Sequence, residues 1–116
     1  MIKNEISKIT AKILINIGAI NFSPQSPFKL SSGFLSPSYI DCRKIIAYPS
    51  AFKEITDMMI DTIKSEMVAQ SPDYIIGGET AGIPFAAAIA EKMGLPLSYV
   101  RKKPKDYGKS LSLIHI

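Results

Sequence analysis

One histidine and one cysteine in 116 residues leave little material for several common kinds of site. His115 alone cannot complete a Ser–His–Asp set, and no cluster of residues has zinc-ligand spacing, so no metal-ligating side chains are expected. Cys42 has no partner for an internal disulfide, which agrees with a reducing, cytoplasmic setting. Its thiol is expected as a small buried hydrophobe in a strand. Long apolar runs are missing too; nothing approaches the about 20 residues that cross a bilayer, so no membrane partner is expected. The apolar residues near the start alternate with polar ones, unlike a signal peptide. There is no internal repeat or low-complexity tract. A 47% apolar share is ordinary for one small globular domain, which is the ceiling at this length.

Ile2, Ile6, Ile9, Ile13, Ile17 and Ile20 recur every three or four residues, with lysines and Glu5 between them. This spacing predicts an amphipathic helix with one core-facing stripe, ending near Gly18. Residues 22–27 hold two prolines and read as a linking turn. Phe28–Leu30 and Tyr39–Cys42 read as two strands forming a hairpin around the turn Ser31–Pro37. Pro49 suits the first position of a second helix, whose stripe is Phe52, Ile55, Met59 and Ile63. From Asp73 to Arg101 the pattern is strand, turn, helix, turn, strand, the length of a βαβ unit with parallel strands. Gly94 and Pro96 mark the end of that helix.

Charge is distributed unevenly. Residues 101–109 carry Arg101, Lys102, Lys103, Lys105 and Lys109 against Asp106, a local balance of +4, whereas the rest of the chain has nine basic and nine acidic residues. The entire net charge therefore sits in one loop. A solvated basic turn is the bland explanation. The alternative is an anion site, because clustered like charges repel unless a counter-charge joins them. Arg101 suits a two-pronged clamp on phosphate, and the lysines act as point charges. Upstream, Gly77-Gly78 follows an apolar strand and precedes a helix. The pair is either an ordinary strand-to-helix turn or bare backbone that admits an anion to the helix N-terminus. Glu79 opposes an anion by charge, yet an acid near a helix N-terminus is itself stabilised. Nucleic acid is not the expected partner, because its binders spread cations along a face with exposed aromatics between them.

The segments Gly77-Gly78-Glu79-Thr80-Ala81-Gly82-Ile83-Pro84 and Tyr99-Val100-Arg101-Lys102-Lys103-Pro104-Lys105 resemble those of orotate phosphoribosyltransferases. Leu30-Ser31-Ser32-Gly33, Ser36-Pro37 and Tyr39-Ile40-Asp41 fit the same family in the same order, over roughly residues 1–109. The resemblance implies an α/β fold: an incomplete type I phosphoribosyltransferase parallel sheet with a small N-terminal hood of helix plus hairpin. It also implies transfer of the phosphoribosyl group of phosphoribosyl pyrophosphate to orotate, in pyrimidine biosynthesis. Magnesium would be the cofactor, held mainly by substrate oxygens. The partner would be a second copy, with the basic loop of each reaching the other's site.

By the same resemblance, Ser31, Thr80, Ala81, Arg101, Lys102, Lys105 and Tyr107 match positions that contact phosphoribosyl pyrophosphate, and Lys105 matches the mobile catalytic lysine. Tyr39 and Ile40 match the pair against which orotate packs. Some relatives have lysine at the positions of Ser31 and Ala81, and many have histidine at that of Tyr107. Residues 110–116 depart from the family and read as an atypical tail after a phosphoribosyltransferase portion at 1–109. The family's acidic pair and its Thr-Thr-Gly-Gly-Ser-like loop for the ribose 5-phosphate are not in the sequence, so the 116-residue chain is expected to be inactive alone. A non-catalytic nucleotide sensor of the same fold is the other reading, although the helix pair of a DNA-binding regulator is not visible.

Overall fold

A computed structural model describes residues 2–103. The elements are α1 (Lys3–Asn16), β1 (Ile20–Phe22), β2 (Phe28–Lys29), β3 (Leu35–Ser36), β4 (Ser38–Ile40), α2 (Pro49–Glu66), β5 (Ile75–Gly78), α3 (Gly82–Met93) and β6 (Leu97–Val100). A 3-10 helix, Cys42–Ala47, precedes α2. The chain divides into two compact units between Ile55 and Thr56. No helix among the described residues is long and apolar enough to cross a membrane.

In the first unit the isoleucine spacing gives α1 as expected, with Ile13 buried and Ile6, Ile9 and Ile17 half-buried. Gly18 ends the helix in a left-handed conformation (φ 72°), and the Ala19 N–H donates to the Leu14 carbonyl at 2.9 Å. Lys44 Nζ donates to the Gly18 carbonyl at 3.2 Å, placing a cation at the negative end of the helix.

The expected hairpin is rearranged. Phe28–Lys29 pairs with Leu35–Ser36, and the strand at Tyr39 pairs instead with Ile20–Phe22, which sequence reasoning left outside any strand. One short antiparallel pair is thus nested in the chain between the strands of another. Pro24 and Pro27 lie in the link after β1, where their missing N–H groups cost no ladder bond. The inner turn explains the short pairing. Leu30 donates to the Phe34 carbonyl and Gly33 donates to the Leu30 carbonyl, each at 2.9 Å, closing a three-residue loop. Gly33 takes the left-handed position (φ 91°) that such a loop requires. Cys42 is also corrected: it is exposed, at the start of the 3-10 helix and not in a strand.

The second unit holds the expected β-strand, helix and parallel β-strand. β5 and β6 pair in parallel from Ile75↔Leu97 to Gly78↔Val100, and α3 packs on both. The first strand starts one residue later than Tyr74 and runs through both glycines. Ala86, Ile89, Ala90 and Val100 form the core here. Gly94 ends α3 with φ 66°, as its position predicts. The buried stripe of α2, which runs from the first unit into the second, is broader than expected: Ala51 and Ile55 are buried in the first, Met58 and Ile60 in the second, and Met59 is exposed. Met59 and Ile63 instead line a groove of about 370 Å³ with Tyr74, Ile76, Phe85 and Ile89. With Ile76 56% exposed, an apolar sheet face remains uncovered among the described residues, as an incomplete parallel sheet implies.

Candidate functional site

In open parallel sheets, ligands gather beyond the carboxyl ends of the strands. Here that end brings the glycine-rich and basic segments side by side. The Glu79 N–H donates to the Val100 carbonyl at 2.9 Å, continuing the strand pairing. In this register Arg101 leaves β6 next to Glu79, and both are half-buried. Lys102 and Lys103 follow, exposed. The Glu79–Thr80 peptide is cis. Thr80 is exposed, Ala81 is half-buried, and the Ile83 N–H donates to the Thr80 carbonyl at 3.2 Å. No side chain caps α3; with the Ile83 N–H bonded to Thr80 and Pro84 lacking an N–H, Gly82 carries the amide that its first turn offers a ligand. The strand end therefore brings together the Gly82 amide at the helix start, Thr80 and Arg101, residue types suited to a diphosphate.

The glycine pair has a different role from that of a turn. Both residues lie in β5, and the turn itself is made by Glu79 and Thr80. A β-carbon on Gly77 would meet the Ala86 β-carbon at 2.8 Å, the Gly82 carbonyl oxygen at 3.0 Å and the Ile83 Cα at 3.2 Å. Gly77 is bare because α3 lies against it. Ala86 is the side chain whose approach leaves no room for a β-carbon at Gly77, a contact that sequence reasoning passed over. The available signal was the run of small residues Ala86-Ala87-Ala88 downstream of a strand glycine.

Of the other expected site residues, Ser31, Tyr39 and Ile40 belong to the first unit and Thr80, Ala81, Arg101 and Lys102 to the second. Ser31 is exposed in the turn that closes β2 and β3. Tyr39 lies opposite Asn21, and Ile40 opposite Ile20. Neighbours along a strand face opposite ways, so the two side chains project from different faces of this small sheet. Tyr39 meets Phe28 with ring centroids 6.0 Å apart. Ile40 shares its face with Ile20 and with Phe22, which is 70% exposed. Phe28 is a second aromatic that sequence reasoning treated only as strand. Lys105 and Tyr107 lie outside the described residues, as does the tail at 110–116.

No protein-family model matches the chain. Among curated proteins, it is 52% identical over 108 residues to orotate phosphoribosyltransferase of Cereibacter sphaeroides, covering 93% of this chain and 47% of that protein. The chain thus spans about half the length of the curated relatives it matches. Among solved structures, orotate phosphoribosyltransferase from Aeropyrum pernix superposes with a TM-score of 0.67 at 33% identity, over 86% of this chain and 58% of that one. Adenine phosphoribosyltransferase from Saccharomyces cerevisiae gives a TM-score of 0.62 at 26% identity, over 85% of this chain and 56% of that one. The likeness extends through both units. By sequence and by fold, the chain matches the N-terminal portion of orotate phosphoribosyltransferases, in the type I phosphoribosyltransferase family.

Proposed function

We propose that the protein to which this chain belongs transfers the phosphoribosyl group of phosphoribosyl pyrophosphate to orotate, releasing pyrophosphate and forming orotidine 5′-phosphate. The observation that carries this reading is the strand end where Glu79–Gly82 and Arg101–Lys102 converge, within a chain about half identical to orotate phosphoribosyltransferases. The bond from ribose C1 to the diphosphate breaks, and a ring nitrogen of orotate takes its place. The transition state joins a ribosyl cation to a departing polyanion. Preorganised donors on that polyanion lower the barrier most. The Gly82 amide, Thr80 and the backbone at Ala81 would hold the diphosphate, clamped by Arg101 and Lys102. Lys105 and Tyr107 of the partner copy would complete the proposed set and help to exclude water. Ser31 is included in the diphosphate set on the family resemblance alone. Tyr39 would offer its ring to the flat orotate, and Ile40 would contribute through its backbone, since its side chain lies on the other face. No covalent nucleophile is required.

Magnesium binds through one or two carboxylates plus substrate oxygens and seldom needs a protein cage. Glu79, at the strand end beside the proposed diphosphate seat, fits that sparse demand. When bound, the ion supplies positive charge to the diphosphate. The reading further includes a phosphoribosyltransferase portion at 1–109, a homodimer in which the basic loop acts in the partner's site, and a cytoplasmic location.

The likeness to adenine phosphoribosyltransferase supports a second reading, in which the base is a purine. Pyrophosphate release by the full-length protein, measured with orotate, uracil, adenine and hypoxanthine in turn, separates the two. Turnover with orotate alone is expected. Preference for adenine or hypoxanthine would overturn the orotate assignment and leave the family intact.

A further inference from the structure

We infer that Gly77 and Ala86 act together as a positioning pair, setting the height at which the first turn of α3 stands over the end of β5. The inference rests on the diphosphate role proposed for that turn and adds to it residues that touch no substrate. Gly77 is buried within β5, and Ala86 is buried in the second turn of α3. The atoms nearest a β-carbon at Gly77 all belong to α3, and two of the three lie in its first turn, at Gly82 and Ile83. A methyl group there wedges strand and helix apart at the end where Thr80, Ala81 and the Gly82 amide meet a ligand.

Displacement matters at this place because the α3 side of the proposed seat is made of backbone. Side chains recover from small shifts by changing rotamer, whereas the amides of Thr80, Ala81 and Gly82 move only with the turn and helix that carry them. Hydrogen bonds weaken steeply once their alignment is lost. Widening the gap therefore misaligns several donors together. The β6 side of the site is held separately by the bond from Glu79 to Val100, so Arg101 should keep its place. The expected signature is selective: weaker diphosphate binding, without loss of the fold or of the cationic loop.

Inorganic pyrophosphate is the probe, titrated calorimetrically at fixed magnesium into the full-length protein, with a thermal melt of each variant. Gly77→Ala is expected to weaken binding about tenfold, the scale of one misaligned charge-assisted hydrogen bond. Ala86→Gly in the same chain removes the 2.8 Å contact and should recover part of that loss; the close approach to the Gly82 carbonyl remains. Recovery separates wedging of α3 from direct obstruction of the ligand, which Ala86→Gly cannot relieve. Ala86→Val tests the same gap from the helix side should Gly77→Ala fail to fold, and it too should weaken binding. Folded Gly77→Ala or Ala86→Val protein with unchanged pyrophosphate affinity would overturn the inference, as would a Gly77→Ala loss that Ala86→Gly leaves untouched. If the unsubstituted protein binds no pyrophosphate and consumes no phosphoribosyl pyrophosphate, the functional reading itself fails and takes the positioning role with it.

Discussion

Lys92 Nζ lies 2.9 Å from the hydroxyl of Thr56, joining the last turn of α3 to a fully buried position on α2. The same ammonium lies 2.9 Å from Asp57 Oδ1, so one cation near the carboxyl end of α3 meets two acceptors on neighbouring residues. Its charge also complements the helix dipole. Because Lys92 and Asp57 are both partly exposed, solvent screens the ion pair, and the bond to the buried hydroxyl is the firmer contribution. Lys92→Met is expected to lower stability by about 1 kcal/mol, read from denaturant midpoints at unchanged slope. An unaltered midpoint would show that the two acceptors are equally well served by water.

Gly33 stands in open space, with nothing within 4 Å of the position a β-carbon would take. Any cost of Gly33→Ala therefore arises from the left-handed backbone and not from a clash. A loss of about 1 kcal/mol is expected, and Gly33→Asn should lose less because asparagine tolerates that conformation better. Equal losses for the two variants would mean that the turn opens and re-forms in another geometry.

Arg101 emerges half-buried at the strand end, whereas Lys102 is exposed. Under the proposed reaction, Arg101→Lys keeps the charge and loses the fork. The KM for phosphoribosyl pyrophosphate should rise about tenfold, a scale set by one charge-assisted hydrogen bond. Steady-state kinetics of the full-length protein decide the matter, and an unchanged KM would assign Arg101 to packing at the end of β6.

Lys105 is proposed to meet the diphosphate chiefly during turnover. Lys105→Ala should then lower kcat about ten- to a hundredfold with a smaller rise in KM. A variant with unchanged kcat would reduce this lysine to surface charge.

Tyr39 and Ile40 project from opposite faces of the β1–β4 pair. Tyr39→Ala is expected to raise the KM for orotate severalfold, on the scale of a lost ring contact of about 1 kcal/mol. Ile40→Ala should change it little. Equal effects of the two would place the ligand at the strand edge, where it touches both.

The features that sequence alone determined are those with local causes. A three-to-four spacing of isoleucines makes α1, proline at the start and glycine at the end delimit helices, and the apolar–glycine–helix pattern of 73–101 makes a parallel strand pair. The concentration of cations after Val100 is equally local, because it is a property of the chain whatever its fold. Tertiary structure decided what depends on which segments meet. Strand pairing in the hood is one case: the Tyr39 strand pairs with Asn21 and its neighbours and forms no ladder with the Phe28 strand, since strands choose partners by register and turn closure, neither of which composition carries. The arc of α2 that is buried is another, because Met58 and Met59 are equally apolar and only packing distinguishes them. Gly77 makes the same point at the candidate site. In the sequence it is one of two glycines before a helix; in the fold, the β-carbon of Ala86 comes too close to admit another.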